Sequence, residues 1–259
     1  MPLRADQTPW IERGLRVITA ERPGFGASTR LPGRGFVEHA DDLAAILDFL
    51  GIARVHVYGG SGGGAHVLAF AARQPDRVSA CTIIDGGAPL TDDEVQQQVD
   101  FNVAGETLVR AGKVDELRAM LEEFRASILA DPVAGFRAIM DTAPAEDQEI
   151  MADPGWQEAF ARSMCEALAP GVEGWIDEEL AAAGDWPDVD MEAVTSSVTW
   201  WHGDGDRNCP LSAAQRLVAR LPNARLVVWE GAGHLTGYRR EPEILDELLA
   251  RARSAVEVP

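Results

Sequence analysis

The sequence predicts an α/β fold, with a mostly parallel β-sheet, helices on both of its faces and an inserted helical segment. Three observations predict this class: short β-branched runs alternate with helical patterns up to residue 88, helical patterns alone follow, and the alternation resumes near residue 195. Strands that alternate with helices favour a parallel sheet, because each crossover helix returns the chain to the same end of the sheet. We therefore expect a core made of residues 1–88 and 195–259, interrupted by a helical insertion at 89–194.

Before the insertion, the pattern predicts three strands and two helices. Runs rich in β-branched residues predict buried strands at 15–20, 55–58 and 78–84. Apolar residues at helical spacing predict a helix at 36–50, and small apolar residues predict a second helix at 62–73 that packs closely on the sheet. These elements form two successive strand–helix–strand units.

The insertion is predicted to be helical. Val95, Val99 and Val103 lie at helical spacing, and so do the apolar residues within 114–128. The Asp-Pro pair at 131–132 predicts the start of a third helix, because aspartate caps helices and proline is tolerated in their first turn.

After the insertion, the strand pattern resumes. The β-branched and aromatic runs predict strands at 197–201 and 224–229, with a helix around 212–221 between them. A final helix is predicted from about Pro242. The return of strands favours an insertion over the alternative, in which these helices simply belong to one compact domain.

A glycine-rich turn joins the strand at 55–58 to the helix at 62–73. Residues 59–63 fit G-x-S-x-G, in which a serine occupies a strained turn and flanking glycines avoid collisions with the neighbouring strand and helix. The turn lifts Ser61 Oγ above the sheet edge and aims the Gly62 amide at a developing oxyanion. A phosphate loop would need a following lysine, and a dinucleotide-binding loop an acidic residue about 20 positions on; neither is present. An ordinary strand-to-helix turn is the remaining alternative.

Composition and charge exclude several classes of function. The 259 residues carry a formal net charge of −19, which disfavours nucleic acid and anionic membranes as partners. No window approaches about 18 consecutive apolar residues, and the first residues lack a signal-peptide core, so we expect a cytoplasmic protein without a membrane span. Three cysteines are too few and too scattered for a disulfide framework or a zinc site, and no metal or organic cofactor is expected: Cys81, Cys165 and Cys209.

Four motifs in order make the chain resemble the α/β-hydrolase superfamily, in its branch with a serine nucleophile and a helical cap. Residues 22–28 are similar to R-P-G-x-G-x-S, with Glu21 before them where aspartate is more usual, and 59–63 resemble the nucleophile elbow. Residues 202–210 resemble H-G-x-x-D-x-x-x-P, and 231–234 resemble G-x-G-H. Their order places serine, aspartate and histidine as this fold uses them.

The resemblance implies a catalytic triad. Ser61 carries over as the nucleophile, Asp206 as the acid and His234 as the base, with Gly62 supplying an N–H to the oxyanion hole. A serine hydroxyl attacks well only when a base removes its proton, and the acid fixes the tautomer of that base. The insertion at 89–194 would be the cap.

Other candidate side chains have structural interpretations. Asp204 and Asp85 are alternatives for the acid, but a turn residue and the start of the cap linker are the simpler interpretations. The other histidines are expected to be structural: His39 on the exposed side of a helix, His56 within a strand, His66 one turn after the nucleophile and His202 at a strand end. Three tryptophans of the predicted cap could line an acyl pocket, although packing is their commoner role: Trp156, Trp175 and Trp186.

The predicted function is that of a serine hydrolase that forms an acyl-enzyme on a small or medium ester, lactone or related acyl substrate. Serine at the elbow argues against dehalogenases and epoxide hydrolases of this fold, whose nucleophile is aspartate. Aminopeptidases and C–C bond hydrolases use the same triad and stay as alternatives.

One part of the family pattern has no counterpart in this sequence. The family has further strands before the one predicted at 15–20, with a His-Gly loop that supplies a second oxyanion donor. Its absence motivates a further alternative, a non-catalytic or truncated hydrolase-fold protein with a ligand-binding role. The expected partner is a small-molecule substrate, and an uncovered sheet edge would favour a homo-oligomer.

Overall fold

The structure is a computed structural model that describes the backbone of residues 7–254 and the side chains of residues 7–251. The chain divides into two compact units. The helical unit contains residues 7–34 and 99–183, whereas the sheet unit contains the rest of the described chain. The sequence pattern predicts a helical insertion at 89–194 and places residues 7–34 in the core. In the structure, residues 7–34 belong to the helical unit.

The described residues contain twelve α-helices. In chain order they are α1 (Thr8–Glu12), α2 (Phe36–Phe49), α3 (Gly63–Arg73), α4 (Asp92–Val95), α5 (Asp100–Arg110), α6 (Val114–Ala130), α7 (Pro132–Ile139), α8 (Ala145–Met151), α9 (Pro154–Leu168), α10 (Glu173–Ala182), α11 (Leu211–Val218) and α12 (Gly237–Ser254). The helical unit holds α1 and α5 to α10, and the sheet unit holds the other five. In this part of the chain, none of the helices combines the length and apolar character needed to span a bilayer.

The sheet unit contains one sheet of four parallel strands, in the order β1-β2-β3-β4. They are β1 (Val55–Gly60), β2 (Val78–Ile84), β3 (Val198–Gly203) and β4 (Ala224–Trp229). Parallel neighbours require a crossover, which α3 supplies between β1 and β2 and α11 supplies between β3 and β4. The predicted α/β class with a parallel sheet flanked by helices is confirmed.

Helices cover both faces of this sheet. Ile83 and Ile84 are consecutive in β2, so their side chains point to opposite faces. Ile83 lies beneath α3, where a Cβ on Gly64 would come 3.1 Å from its Cγ2 atom. Ile84 lies beneath α12, where a Cβ on Gly237 would come 2.6 Å from its Cγ2 atom, and it packs in one cluster with Ile244. Burial on both faces explains why β2 is almost continuously apolar.

The helical unit packs around α6. The predicted apolar stripe of this helix begins with Val114, which is partly buried, and continues with four buried residues: Leu117, Leu121, Phe124 and Ile128. Phe124 meets the Trp175 ring edge-on, with centroids 5.5 Å apart. The predicted third helix is α7, and the Asp131 carboxylate caps it by accepting the N–H of Ala134 at 3.0 Å.

Charge pairs fix the segment 7–34 to α10. The fully buried Arg34 side chain pairs with Glu178, and Arg22 pairs with the same carboxylate. Arg30 donates two hydrogen bonds to Asp177, at 2.7 and 3.0 Å. Such bidentate, charge-assisted bonds give a loop a defined position on a helix without a strand ladder.

Three predicted elements differ from the structure. No strand forms at 15–20, where Val17 and Ile18 are 44% and 38% exposed, because no described strand pairs with this segment. The helix predicted through Val103 is divided, since α4 ends before Val99, which caps α5. The final helix begins at Gly237, so Pro242 lies inside it.

Candidate active site

Ser61 stands at the tip of the turn between β1 and α3. Its φ of +52° lies in the left-handed region, which costs energy for any residue with a Cβ and is found most often at functional sites. Backbone hydrogen bonds hold this conformation: the Ser61 N–H donates to Ile84 at 3.0 Å, and its carbonyl accepts from Gly64 and Gly87 at 2.9 and 3.0 Å. The strained turn predicted from the motif is therefore present.

The first and last glycines of the G-x-S-x-G motif, Gly59 and Gly63, differ in the space around them. A Cβ on Gly59 would come 2.7 Å from Val67 Cγ2 and 2.8 Å from the Gly63 carbonyl oxygen, which confirms the predicted collision. A Cβ on Gly63 would meet nothing within 4 Å, so the collision predicted on that side is wrong. Within the first turn of α3, it is Gly64 that faces the sheet, where a Cβ would come 3.1 Å from Ile83 Cγ2.

Asp206 lies in the loop after β3 and is 6% exposed. Its Oδ1 atom accepts backbone N–H groups from Asn208 at 2.7 Å and from Cys209 at 3.0 Å. Its Oδ2 atom lies 2.8 Å from Nδ1 of His234. One carboxylate oxygen therefore anchors the loop, and the other faces the imidazole.

His234 follows β4 and joins Asp206 to Ser61. Its Nε2 atom is 3.1 Å from Ser61 Oγ, while its Nδ1 atom faces the carboxylate. Because a carboxylate can only accept, Nδ1 carries the proton and Nε2 is left as an acceptor for the serine hydroxyl. The structure thus brings together the three side chains that the motifs single out, at hydrogen-bonding distances.

Gly62 lies immediately after Ser61 and is the N-cap residue of α3. The N-terminus of a helix presents backbone N–H groups and a partial positive charge. An oxygen atom that develops negative charge next to Ser61 would meet this end of α3.

The two alternative acids, Asp204 and Asp85, each accept a hydrogen bond from a backbone N–H group. Asp204 Oδ1 accepts the N–H of Gly231 at 2.7 Å, which joins the loops after β3 and β4. Asp85 is 1% exposed, has a φ of +46°, and accepts the N–H of Gly203 at 2.8 Å. The turn role predicted for Asp204 is confirmed, and Asp85 ties the end of β2 to the end of β3.

His202 is held at the end of β3, beneath this cluster. Trp200 Nε1 donates to its Nδ1 at 3.1 Å, so Nε2 carries the proton and donates to the Cys209 carbonyl at 2.7 Å. Burial lowers the pKa of His202 from its ordinary value. It is a neutral side chain with both nitrogens occupied, as its predicted structural role requires.

The other histidines pack inside the sheet unit. His56 lies in β1 as predicted, contacts Thr82 Oγ1 at 2.9 Å, and burial lowers its pKa to about 4. His39 is only 5% exposed, and its Nδ1 atom is 2.9 Å from Nδ1 of His66. The prediction that His39 is exposed is wrong, because α3 brings His66 against that face of α2.

The tryptophans pack rather than stand free. Trp156 stacks on Phe160 with centroids 4.7 Å apart in the helical unit, and Trp186 meets Phe36 at 5.3 Å in the sheet unit. Trp175 donates to Glu179 at 2.7 Å, and burial of that carboxyl raises its pKa to about 7.

The motifs did not single out Cys209 as part of the site. Its thiol hydrogen-bonds the Ser61 hydroxyl, and burial raises the thiol pKa well above its ordinary value, with the charges of Asp206 and Asp85 adding to the effect. The available signal was its position, three residues after Asp206 and directly before Pro210.

Comparison with known proteins places the chain among hydrolases. A family model described as alpha/beta hydrolase fold matches residues 5–239. A 2-hydroxy-6-oxo-2,4-heptadienoate hydrolase from Pseudomonas putida is 31% identical over 230 residues, which cover 87% of this chain and 74% of that protein. A 2-hydroxymuconate semialdehyde hydrolase from Pseudomonas putida is 29% identical over 247 residues, which cover 92% and 78%.

Solved structures share the fold. A bromoperoxidase from Bacillus anthracis matches with a TM-score of 0.66 and 20% identity, over 95% of this chain and 84% of that one. An enol-lactonase from Burkholderia xenovorans LB400 matches with a TM-score of 0.65 and 18% identity, over 96% and 88%. At these identities the likeness concerns the fold alone.

Proposed function

Because this chain belongs to the alpha/beta hydrolase fold family and is an enzyme of it, we propose that it is a serine hydrolase with Ser61 as nucleophile, His234 as base and Asp206 as acid. The observation that carries the proposal is the pair of hydrogen bonds made by His234, 3.1 Å to the hydroxyl and 2.8 Å to the carboxylate. A nucleophile, a base and an orienting group within such reach define this mode of catalysis.

The proposed reaction begins with attack of Ser61 Oγ on a substrate carbonyl carbon. The serine proton moves to Nε2 of His234, and the Asp206 carboxylate stabilises the imidazolium that forms. The N–H of Gly62 at the start of α3 stabilises the oxyanion. The imidazolium then protonates the leaving group, and water, activated by the same histidine, releases the acyl group from Ser61.

The relatives favour a class of substrate. Those quoted above are named as hydrolases of a 2-hydroxy-6-oxo-dienoate and of 2-hydroxymuconate semialdehyde, and the latter shares 29% identity over 92% of this chain. We infer that this enzyme cleaves the C–C bond next to a carbonyl group in an unsaturated 2-hydroxy acid of this kind. A small ester or lactone is the second candidate, because Ser61 can attack its carbonyl carbon with the same help from His234 and Asp206.

The helical unit is proposed to act as the cap that the sequence resemblance implies. Its residues 99–183 contain six helices, and no strand forms there within the described chain. Substrate choice in this proposal depends on its side chains.

Replacement of the nucleophile tests the mechanism. Ser61→Ala is expected to lower kcat at least about 10³-fold and to abolish labelling by a fluorophosphonate probe, because it removes the hydroxyl that Nε2 of His234 faces at 3.1 Å. Ser79→Ala is the matched control, since Ser79 is also partly buried but donates to the Val55 carbonyl at 3.0 Å. Equal labelling of wild type and Ser61→Ala would remove Ser61 from the mechanism.

A two-substrate assay tests the substrate class. Wild type and Ser61→Ala are compared on 2-hydroxymuconate semialdehyde and on p-nitrophenyl acetate, with kcat/KM measured for each. We expect a larger kcat/KM for 2-hydroxymuconate semialdehyde than for p-nitrophenyl acetate. A larger value on the ester, still dependent on Ser61, would assign the enzyme to the esterases and leave the mechanism standing.

A further inference from the structure

The geometry points to a binding site for a thiophilic divalent cation, such as Zn²⁺ or Cd²⁺, formed by Asp206, Cys209 and His234. A carboxylate oxygen, the thiol sulfur and an imidazole nitrogen of these residues all lie within 4.8 Å of one another. Occupation of this site would take His234 out of hydrogen bonding and inhibit the enzyme. The inhibition rests on the proposed function, whereas the binding does not.

The three donors are the ones that zinc selects. Zn²⁺ binds thiolate, imidazole and carboxylate through bonds of ~2.0–2.3 Å, which place tetrahedral ligand atoms roughly 3–4 Å apart. The separations in this cluster are within 4.8 Å, so modest side-chain movement closes them on an ion. A thiolate ligand favours Zn²⁺ and Cd²⁺ over hard cations such as Mg²⁺.

The protein already fixes the position of Cys209. Its N–H donates to Asp206 Oδ1 at 3.0 Å, and its carbonyl accepts from His202 Nε2 at 2.7 Å. Pro210 follows and restricts the backbone further. The thiol therefore stands beside the imidazole before any ion arrives, and little conformational entropy is lost on binding.

The ion has a path to the site and an electrostatic reason to enter it. The Cys209 thiol is buried although part of the residue is exposed, and 12% of the His234 side chain is exposed, so an ion reaches the cluster from the imidazole side. The buried Asp206 supplies negative charge, and the whole chain carries a formal net charge of −19. A net negative surface raises the local concentration of cations.

A neighbouring cluster shares Asp206 but is a weaker candidate. It consists of Asp85, His202 and Asp206, all buried. It offers carboxylates and an imidazole but no thiolate, the ligand that favours Zn²⁺ and Cd²⁺. The cluster of Asp206, Cys209 and His234 contains a thiol and is therefore the better site for these ions.

Binding changes the bonds of the catalytic residues in a defined way. The Cys209 thiol gives up its proton to solvent, and the proton on Nδ1 of His234 moves to Nε2, so the imidazole stays neutral. The thiolate, Nδ1 of His234 and the Asp206 carboxylate then coordinate the ion. The hydrogen bond between His234 and Asp206 breaks, and Ser61 loses its activated base. No oxidation or reduction takes place, so a chelator restores activity.

Metal titration of purified protein tests the site. Isothermal titration with ZnCl₂ is expected to show one site in wild type and in Cys165→Ser, whose cysteine is the other partly exposed one. In Cys209→Ala the affinity is expected to fall by at least the roughly tenfold that loss of even an outer-shell partner costs. Equal affinity in wild type and Cys209→Ala would overturn the proposal.

A spectroscopic measurement on wild type does not depend on any variant folding. Added CdCl₂ is expected to produce the ultraviolet charge-transfer band of a cadmium–thiolate bond, and EDTA is expected to remove it. The same band is expected in Cys165→Ser and in Ser61→Ala, which has no activity to inhibit. Absence of the band in wild type would overturn the proposal, while its presence in an enzyme whose activity does not need Ser61 would uphold the site and reject the proposed function.

Discussion

Asp206 differs from its nearest rival in what its second oxygen faces. Asp204 and Asp206 both lie in the loop after β3 and accept backbone N–H groups. Of the two, Asp206 also reaches the imidazole, at 2.8 Å from Nδ1 of His234. Anchoring through one oxygen lets the other hold the ring in the tautomer that the proposed base needs.

A pair of isosteric variants tests this difference. Asp206→Asn is expected to lower kcat by about 10⁴-fold, because an amide donates to Nδ1 and leaves the proton on the wrong nitrogen. Asp204→Asn is expected to keep kcat within a few-fold, since its amide oxygen can still accept the N–H of Gly231. Steady-state kinetics of both variants give the answer. A larger loss in Asp204→Asn than in Asp206→Asn would exchange their roles.

At the residue scale, local motifs made the proposed triad readable from the sequence. Ser61 and His234 each sit in a short glycine motif that specifies a loop at the end of a strand. The burial of His39 cannot be predicted from local sequence, because His66 is 27 residues away and the packing of α2 on α3 brings the Nδ1 atoms of the two rings to 2.9 Å. Cys209 was overlooked for a similar reason: its neighbours Ser61 and His234 belong to other loops.

At the scale of elements, the turn between β1 and α3 depends on one close approach. Gly59 is the last residue but one of β1, and a Cβ there would meet both a side chain and a carbonyl oxygen at the start of α3. The carbonyl cannot move without unwinding the helix. The other motif glycine, Gly63, faces open space.

The two glycines of the motif therefore predict opposite effects on stability. Gly59→Ala is expected to cost on the order of 1–3 kcal/mol in the free energy of unfolding, because the added methyl group overpacks the turn. Gly63→Ala is expected to be neutral or to stabilise by up to about 1 kcal/mol, since alanine is the better helix former. Urea unfolding of both variants measures the difference. Equal destabilisation would show that the first turn of α3 is as crowded as the end of β1.

Among the strands, an almost completely buried one was predicted with both of its ends correct. The strand at 78–84 is β2 with the same bounds, because both of its faces are covered and its residues are almost continuously apolar. The segment 15–20 has a similar composition but lies in an extended stretch whose valine and isoleucine are partly exposed. The composition of a segment alone does not predict whether another strand is present to pair with it.

At the scale of the whole molecule, each of the two units contains a buried carboxylate that pairs with arginine. In the helical unit, Glu178 pairs with Arg34, whose side chain has no exposed surface, and with Arg22. In the sheet unit, Glu94 accepts from Arg216 and Ser212, and although burial would raise its pKa, these donors together with Thr91 lower it to about 2. Sequence patterns predicted two regions but not these pairs, because the partners are far apart along the chain.

Neutralising one carboxylate in each unit is expected to loosen that unit alone. Glu178→Gln leaves the buried Arg34 guanidinium without its counter-charge, for which a loss of roughly 3 kcal/mol is the usual scale. Hydrogen–deuterium exchange followed by mass spectrometry is expected to rise in peptides from 7–34 and 99–183, with little change in β1 to β4. Glu94→Gln is the matched variant, and its exchange is expected to rise in the sheet unit, because the charge-assisted bonds from Arg216 are lost there. If Glu178→Gln instead increased exchange in β2 and β3 as much as in α10, the two units would unfold together and the charge pairs would stabilise the molecule as one cooperative body.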